Sequence, residues 1–578
     1  MTKRPAPEIA TLADTRPAEV PYTVADYLFD RIAQTGIEEI FGVPGDFNLP
    51  FLDNILEHPQ LRWVGNNNEL NAGYAADGYA RITGFAAMVT TFGVGELSAI
   101  NATGGSFAEN VPVLHIVGAP ARWSQNNHLK VHHTLADGDY RHFYDMATHV
   151  TCAQAWLTPE NAAKEIDRVI RTMLTQSRPG YVVLSPDVAA APCARPWGSI
   201  AEDIGQITAP TALAAFEAAA TEFLRGHTAM IVADRLIERY SAQDATDALI
   251  ASCALPYATL PWSVGVVDTD SPRYVGAYWA AVSTPRTLHA VEGAERLIMI
   301  GTLLTDTATA GFSADIDDAD IVAIDPLSAR VGTTEFGPIA MADGIAAVQR
   351  AIAAARPTPQ PLQPAATTTP APIDGAQPLR QDDLWDIITG WLPSDSILVA
   401  DLGTTMFGLA GKPLPKGAWS MGQPVWASIG FALPAALGAG IAAPERRTVL
   451  VTGDGAAQLT VQEISTMLRE KTHPIILLIN NAGYTVERAI HGPHALYNDI
   501  STYNWQQVPL ALGGSDADTL VLRAGTPDEL GGALARAWDT PDKLVWVEVM
   551  MDPQDVPTSL ANFTATVAAS MRAHAARS

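Results

Sequence analysis

Basic residues are scarce in this chain. Lys and Arg number 36 against 62 Asp and Glu, a formal charge of −26, and a surface of that sign works against nucleic acid or an anionic membrane as partner. It leaves an anionic substrate open, because the field inside a pocket can differ from the net charge. Cysteine is nearly absent. Cys152, Cys193 and Cys253 are far apart and odd in number, which suggests neither a disulfide framework nor a zinc knuckle and fits a reducing compartment. No apolar run reaches membrane-spanning length, and the longest, Ala432 to Ala443, is broken by Pro434 and two glycines. The first twenty residues hold Lys3 and Arg4 but no apolar core of the signal-peptide kind, so a soluble, cytoplasmic protein is expected. Only 17% of residues are charged and 48% are apolar, as in large α/β units with buried parallel sheets. A length of 578 residues suggests about three or four domains.

What is present is concentrated at strand ends. Val449-Leu450-Val451-Thr452 reads as a buried strand stopping on Gly453-Asp454-Gly455, and the apolar run Ile475 to Ile479 closes on Asn480-Asn481. Between them Leu459, Ile464, Met467 and Leu468 recur at near-helical intervals, giving a strand, a crossover helix and a second parallel strand. Such a unit brings Asp454 and Asn481 to the carboxyl edge of one sheet, where open α/β sheets bind ligands. A carboxylate, an amide and a backbone carbonyl such as that of Gly483 suit magnesium shared with substrate phosphates. The helix start after Gly455 offers N–H groups to the same phosphates. Gly-Asp-Gly alone would fit a plain turn equally well.

Taken in order, residues 1–20 read as a tail. Residues 21–200 form a first domain in which Val24, Tyr27, Leu28 and Ile32 share a helical face and Ile40-Phe41 leads into Gly42-Val43-Pro44-Gly45-Asp46. Asp46 fits a helix cap or turn as well as a site. Glu69 opens a helix running to about Arg81, where the macrodipole favours an acid in any case. Strand, helix and strand repeat to about residue 120, which predicts a doubly wound parallel sheet. His128 to Tyr144 is polar, and its adjacent His132 and His133 read most simply as solvated; neighbouring residues point apart on most backbones, so chelation by the pair is not expected. Residues 210–355 form a second α/β domain whose one concentrated polar stretch is Thr305-Asp306-Thr307. Residues 356–378, with seven prolines in twenty-three residues, read as a linker, and residues 379–578 as a third domain. The fold class is therefore α/β, with three doubly wound parallel-sheet domains.

Gly42 to Pro50, Asn68 to Arg81, Thr91 to Ile100, His132 to Asp139 and Gly453 to Gly492 together resemble the thiamine diphosphate-dependent 2-keto acid decarboxylases, the family of the pyruvate, indolepyruvate and phenylpyruvate decarboxylases. The resemblance runs from Tyr22 to the C-terminus. It implies nonoxidative decarboxylation of a 2-keto acid to an aldehyde and CO2, with thiamine diphosphate and Mg2+ as cofactors. It also implies pyrimidine-binding, central and diphosphate-binding domains, and a cofactor held between the first domain of one subunit and the third of another. A homodimer at least is then required, and a homotetramer is expected.

By the same resemblance, Asp454, Asn481 and the Gly483 carbonyl hold magnesium. Thr404 and the backbone around Gly455, Ala456, Tyr484 and Thr485 lie near the diphosphate. Glu69 bonds the aminopyrimidine and favours the imino tautomer. Ile429 props the cofactor in its bent form, with the Ala427 carbonyl facing the exocyclic amine. Asp46, His132, His133 and Glu487 match the family's four ionisable active-site positions, whose coupled acid and base roles stay unassigned. Thr307 and Met406 fall where relatives line the substrate pocket; a pocket difference of one methylene is worth only ~1–3 kcal/mol, so the substrate is pyruvate or a larger aromatic or aliphatic 2-keto acid. Thr485 to His491 and Tyr497 to Ile500 look closer to the indolepyruvate-type enzymes.

Two departures stand out. Ala456 replaces a serine common in relatives, and Asp234-Arg235-Leu236 stands where some yeast enzymes carry an activating cysteine, so no thiol-based activation is expected. The alternatives are an acetolactate synthase-like carboligase, disfavoured by the histidine pair and Glu487; a catalytically dead scaffold, disfavoured by intact Glu69 and Asp454; and an NAD-binding oxidoreductase, for which no G-x-G-x-x-G lies between strand and helix.

Overall fold

The computed structural model describes residues 21–200, 207–263, 265–364 and 372–575. The expected tail, residues 1–20, and the middle of the expected linker lie outside the described residues. Two compact units are distinguished: Met1–Gly205 with Pro434–Pro444 and Gln462–Thr472, and Gln206–Leu433 with Glu445–Val461 and His473–Ser578.

The first unit is built on a wholly parallel six-stranded sheet. Its spatial order is Arg62–Gly65, Glu39–Gly42, Ala86–Thr91, Val113–Gly118, Gly180–Leu184 and Ala153–Trp156. Ala86–Thr91, Val113–Gly118 and Gly180–Leu184 are buried at every position, as strands covered on both faces are. Strand order reverses between Glu39–Gly42 and Ala86–Thr91, the place where open α/β sheets present a crevice to ligands. Helix Glu69–Thr83 follows strand Arg62–Gly65; Asn68 caps it by accepting from the Asn71 N–H, and Gly84 at φ +87 ends it. A Cβ on Gly78 would stand 2.2 Å from the Ala435 carbonyl oxygen, and one on Gly438 1.9 Å from that of Ala75. Helices Glu69–Thr83 and Ala432–Ala442 therefore cross backbone to backbone, which only glycine permits.

The second unit contains two sheets. One runs Thr334–Phe336, Ala329–Val331, Ile321–Ile324, Arg296–Ile300, Thr228–Ala233, Tyr257–Thr259 and Tyr274–Ala277. One edge departs from the parallel pattern: Ile321–Ile324, Ala329–Val331 and Thr334–Phe336 pair antiparallel, because the short turn through Gly332 leaves no room for a crossover. Thr358 and Pro359, inside the expected linker, pair with Thr228 and Ala229. The other sheet is wholly parallel, in the order Trp419–Met421, Ile397–Ala400, Thr448–Gly453, Ile475–Asn480, Leu544–Met550 and Thr519–Ala524. Its order reverses between Ile397–Ala400 and Thr448–Gly453, beside Gly453-Asp454-Gly455.

The expected single crossover helix is interrupted. Helix Asp454–Thr460 gives way to a 3-10 turn, Val461–Glu463, and a second helix, Ile464–Arg469. The tighter turn shifts the helical phase, so Leu459 stays 48% exposed while Ile464 and Met467 are buried. Among the described residues no helix is long and apolar enough to cross a membrane.

Candidate active site

In the first unit, four connections leave the carboxyl ends of neighbouring strands, and each carries candidate residues: Asp46 after Glu39–Gly42, Glu69 after Arg62–Gly65, Gly93 to Glu96 after Ala86–Thr91, and the histidine segment after Val113–Gly118. His132 Nε2 lies 2.7 Å from Asp46 Oδ2, and His133 Nε2 lies 3.9 Å from Asp46 Oδ1. Adjacent side chains usually diverge. Here His133 has φ +61, and the two rings meet edge to face at 4.6 Å, with Phe47 stacked on His132 at 4.9 Å. The left-handed residue thus turns both imidazoles toward one carboxylate.

A residue absent from the sequence-based candidates holds this loop. Glu96 is buried; its Oε1 accepts from the Gly93 N–H at 2.7 Å and its Oε2 from the Tyr181 hydroxyl. Gly93, at φ +62, lies so close to the histidine segment that a Cβ there would stand 1.9 Å from the His133 carbonyl oxygen. Burial pushes the Glu96 carboxyl up to about 7. Glu69 is the first residue of its helix, and its Oε1 would be 3.2 Å from a Cβ on Gly95.

In the second unit, three adjacent strands end at three helix starts: Thr404 after Ile397–Ala400, Asp454 after Thr448–Gly453 and Thr485 after Ile475–Asn480. Their first N–H groups lack intrahelical acceptors, an arrangement suited to a diphosphate. Asp454 is 1% exposed; its Oδ1 accepts from the Gly455 N–H at 2.8 Å and its Oδ2 from the Gly483 N–H at 3.2 Å. Burial pushes its carboxyl up to about 6. The Asn481 side-chain amide lies 3.1 Å from Asp454 Oδ1 and 2.9 Å from the Gly483 carbonyl oxygen; its nitrogen donates to both, and its oxygen accepts from Thr485 Oγ1 at 3.1 Å. A buried carboxylate, a side-chain amide that can turn its oxygen inward and a backbone carbonyl are oxygen donors that suit a hard divalent cation. The Tyr484 ring packs on Gly455, and Ala456 is buried.

Two further residues shape this loop. Arg488 is buried and donates to the carbonyls of Asn481 at 3.2 Å and Ala482 at 2.8 Å, and to Asp499 Oδ1 at 2.9 Å. Asp401 is buried, and burial pushes it up to about 7. It accepts from Thr452 Oγ1 at 2.9 Å and from the Gly430 N–H at 3.1 Å, tying the segment of Ala427 and Ile429 to the strand that carries Asp454. Ala427 has φ +59. Glu487 is exposed, in the first turn of helix Thr485–Ile490. Met406 lines a cleft with Trp262, Met421 and Pro424. Thr307 does not line that cleft but donates to the Pro424 carbonyl at 3.2 Å. Asp46, Glu69, His132 and His133 belong to the first unit and Asp454, Asn481 and Gly483 to the second.

Three family profiles match the chain: the thiamine pyrophosphate enzyme N-terminal TPP binding domain over residues 22–141, the central domain over 216–352 and the C-terminal TPP binding domain over 406–549. An alpha-keto-acid decarboxylase of Mycolicibacterium paratuberculosis is 46% identical over 551 residues, covering 95% of this chain and 97% of its own. The protein of that name from Mycobacterium tuberculosis is 45% identical over 548 residues, with the same coverage. The thiamine diphosphate-dependent 4-hydroxybenzoylformate decarboxylase of Rhodococcus jostii shares the fold, with a TM-score of 0.73 at 19% identity over 92% of this chain and 99% of that one. With nearly half its residues shared along almost the whole of both chains, this protein belongs to the thiamine pyrophosphate enzymes, in the family of the alpha-keto-acid decarboxylases.

Proposed function

We propose that the protein releases an aldehyde and CO2 from pyruvate or a larger aromatic or aliphatic 2-keto acid, as a cytoplasmic homodimer or homotetramer dependent on Mg2+. The observation that carries the reading beyond the family is the convergence of His132 and His133 on Asp46, three ionisable groups beside the Glu69 helix at the carboxyl edge of one sheet. Residues 21–200 would serve as pyrimidine-binding domain, 210–355 as central domain and 379–578 as diphosphate-binding domain, with 356–378 as the connector.

Thiamine diphosphate, when bound, supplies the electron sink for the charge left as CO2 departs. The protein's own residues do the rest. Asp454, Asn481 and the Gly483 carbonyl would hold Mg2+, and Thr404, Gly455, Ala456, Tyr484 and Thr485 would hold the diphosphate. Ile429 and the Ala427 carbonyl would fix the cofactor's bent form. Glu69 would share a proton with the aminopyrimidine. Asp46, His132, His133 and Glu487 would orient the substrate carboxylate and deliver the proton that completes the aldehyde. Met406 is deformable and suits a pocket that admits more than one side chain.

The test is initial-rate kinetics on pyruvate, phenylpyruvate, indolepyruvate and branched-chain keto acids, with aldehyde detection. Stoichiometric aldehyde from at least one of them is expected. Acetolactate as the main product, or a yellow protein with bound flavin, would replace this reading with the carboligase.

A further inference from the structure

Glu463 is 0% exposed, and among the described residues its carboxylate is met by amides alone. Asn66 Nδ2 donates to Oε1 at 2.8 Å; Asn71 Nδ2 donates to Oε2 at 2.7 Å, and the Asn67 N–H and Nδ2 each donate to Oε2 at 3.4 Å. These three asparagines surround the start of the helix whose first residue is Glu69. The stretch Asn66-Asn67-Asn68 has no apolar side chain to anchor it, so hydrogen bonds fix its path. Asn66 is held on both sides: its Oδ1 accepts from the Gly42 N–H at 3.2 Å, and its own N–H donates to the Gly42 carbonyl at 2.9 Å. Asn67 Nδ2 also reaches the Gln462 carbonyl at 3.0 Å, Ser465 Oγ at 3.1 Å and Thr466 Oγ1 at 3.0 Å. On the rim of the same strip, Arg469 donates to the Gly65 carbonyl and Arg62 pairs with Glu470.

We propose that Glu463 is a positioning residue for Glu69: a buried carboxylate that gathers Asn66, Asn67 and Asn71 and thereby sets where the Glu69 helix begins. The inference rests on the reading of Glu69 as the aminopyrimidine's partner. It explains why an acid is needed at this place. A carboxylate offers acceptors on both oxygens, whereas a glutamine would turn its NH2 toward an asparagine NH2 and leave two donors facing each other. Asn66 ties the same carboxylate to Gly42, which opens the turn carrying Asp46.

The experiment measures hydrogen–deuterium exchange at C2 of the thiazolium by quenched-flow NMR on the cofactor-loaded protein, a readout of Glu69's task that needs no substrate. In Glu463→Gln, exchange and kcat are expected to fall together by about tenfold with KM changed less than about threefold, since small misplacements of a catalytic group are costly while substrate contacts remain. In the double variant Glu463→Gln/Asn66→Asp, amide and carboxylate change places across one hydrogen bond, and at least about a third of the lost exchange rate should return. Should Glu463→Gln fail to fold, Asn66→Ala removes the same bond from the other side and is expected to slow exchange likewise. Glu69→Gln serves as reference. If it is slow while Glu463→Gln and Asn66→Ala exchange at the wild-type rate, or if the double variant restores nothing, the positioning role is overturned. If Glu69→Gln itself exchanges at the wild-type rate, the assignment of Glu69 fails and this inference falls with it.

Discussion

Glu96 titrates near 4.5 in an unfolded chain and is pushed up to about 7 by burial beneath the Gly93 turn. The folded protein therefore binds the extra proton between those values. The stability this contributes is complete below pH 4.5 and is lost as pH rises through 7. His115, fully buried, is pushed down from 6.5 to about 3; its contribution is complete above pH 6.5 and is lost as pH falls toward 3. The two run in opposite directions, so a variant separates them. Between pH 4.5 and 7, Glu96→Gln should gain stability relative to wild type by about 1.4 kcal/mol per pH step. Urea unfolding at three pH values reads this, and a difference that stays flat would show that Glu96 is ionised in the folded protein throughout. At the metal loop, Asp454→Ala removes the one carboxylate of the proposed magnesium set. Calorimetry should find thiamine diphosphate binding lost even at high Mg2+, and binding at wild-type affinity would remove Asp454 from the site. Gly453-Asp454-Gly455 and Asn480-Asn481 stand out in the sequence because each closes an apolar run on polar groups at a strand end, and Glu69 because it opens a helix soon after one. Arg488, Asp401 and Glu96 do not: many of their partners are backbone carbonyls and N–H groups, which carry no residue identity to read, and the side chains they meet, Asp499, Thr452 and Tyr181, stand in no motif with them.

Strands and helices are legible to within a residue or two wherever apolar runs or helical spacing are strong, as at Glu69–Thr83 and Ile475–Asn480. Reading failed where geometry is set by one backbone angle or by phase. The crossover from Asp454 to Arg469 keeps a helical spacing of apolar residues yet breaks at Val461–Glu463. The antiparallel pair at Ala329–Val331 depends on a turn too short to register as a periodic signal. The sequence predicts a divergent histidine pair, and the left-handed φ of His133, which no residue pattern encodes, makes it converge. Gly93 is the element-scale control on that pair. Gly93→Ala puts a Cβ 1.9 Å from the His133 carbonyl oxygen, a clash that the histidine segment must move to relieve, in addition to about 1–3 kcal/mol for the left-handed alanine. The expected result is a kcat reduced by about tenfold or more with thiamine diphosphate affinity changed far less, since the residues proposed to bind the diphosphate and its metal belong to the other unit. Loss of cofactor binding in step with kcat would argue against a local effect on the histidines.

The proposed cofactor site takes Glu69 from one subunit and Asp454 from another, and that arrangement has a direct test. Glu69→Gln and Asp454→Ala protomers should each be inactive alone. Unfolded or dissociated together and reassembled, they form mixed dimers in which one site carries both changes and the other carries neither. Random pairing should restore about a quarter of wild-type activity. No recovery, with mixed dimers verified by mass, would place both residues in one protomer's site. Treatment with a strong chelator should likewise release thiamine diphosphate and abolish activity, and Mg2+ with cofactor should restore it. Strong recovery with cofactor alone would exclude a metal bridge.

By itself the sequence determined the α/β class and three mainly parallel sheets, because buried strands and crossover spacing are local patterns, and its short polar motifs carried the resemblance to the decarboxylase family. Only the tertiary structure decided which side chains meet. It brought His132 and His133 onto one carboxylate through a left-handed residue and set the Asn481 amide against Asp454 and the Gly483 carbonyl. It also placed a buried glutamate under the asparagines that lead to Glu69. Each of these depends on a chain path fixed by packing, and packing joins residues that the sequence sets as much as 408 positions apart.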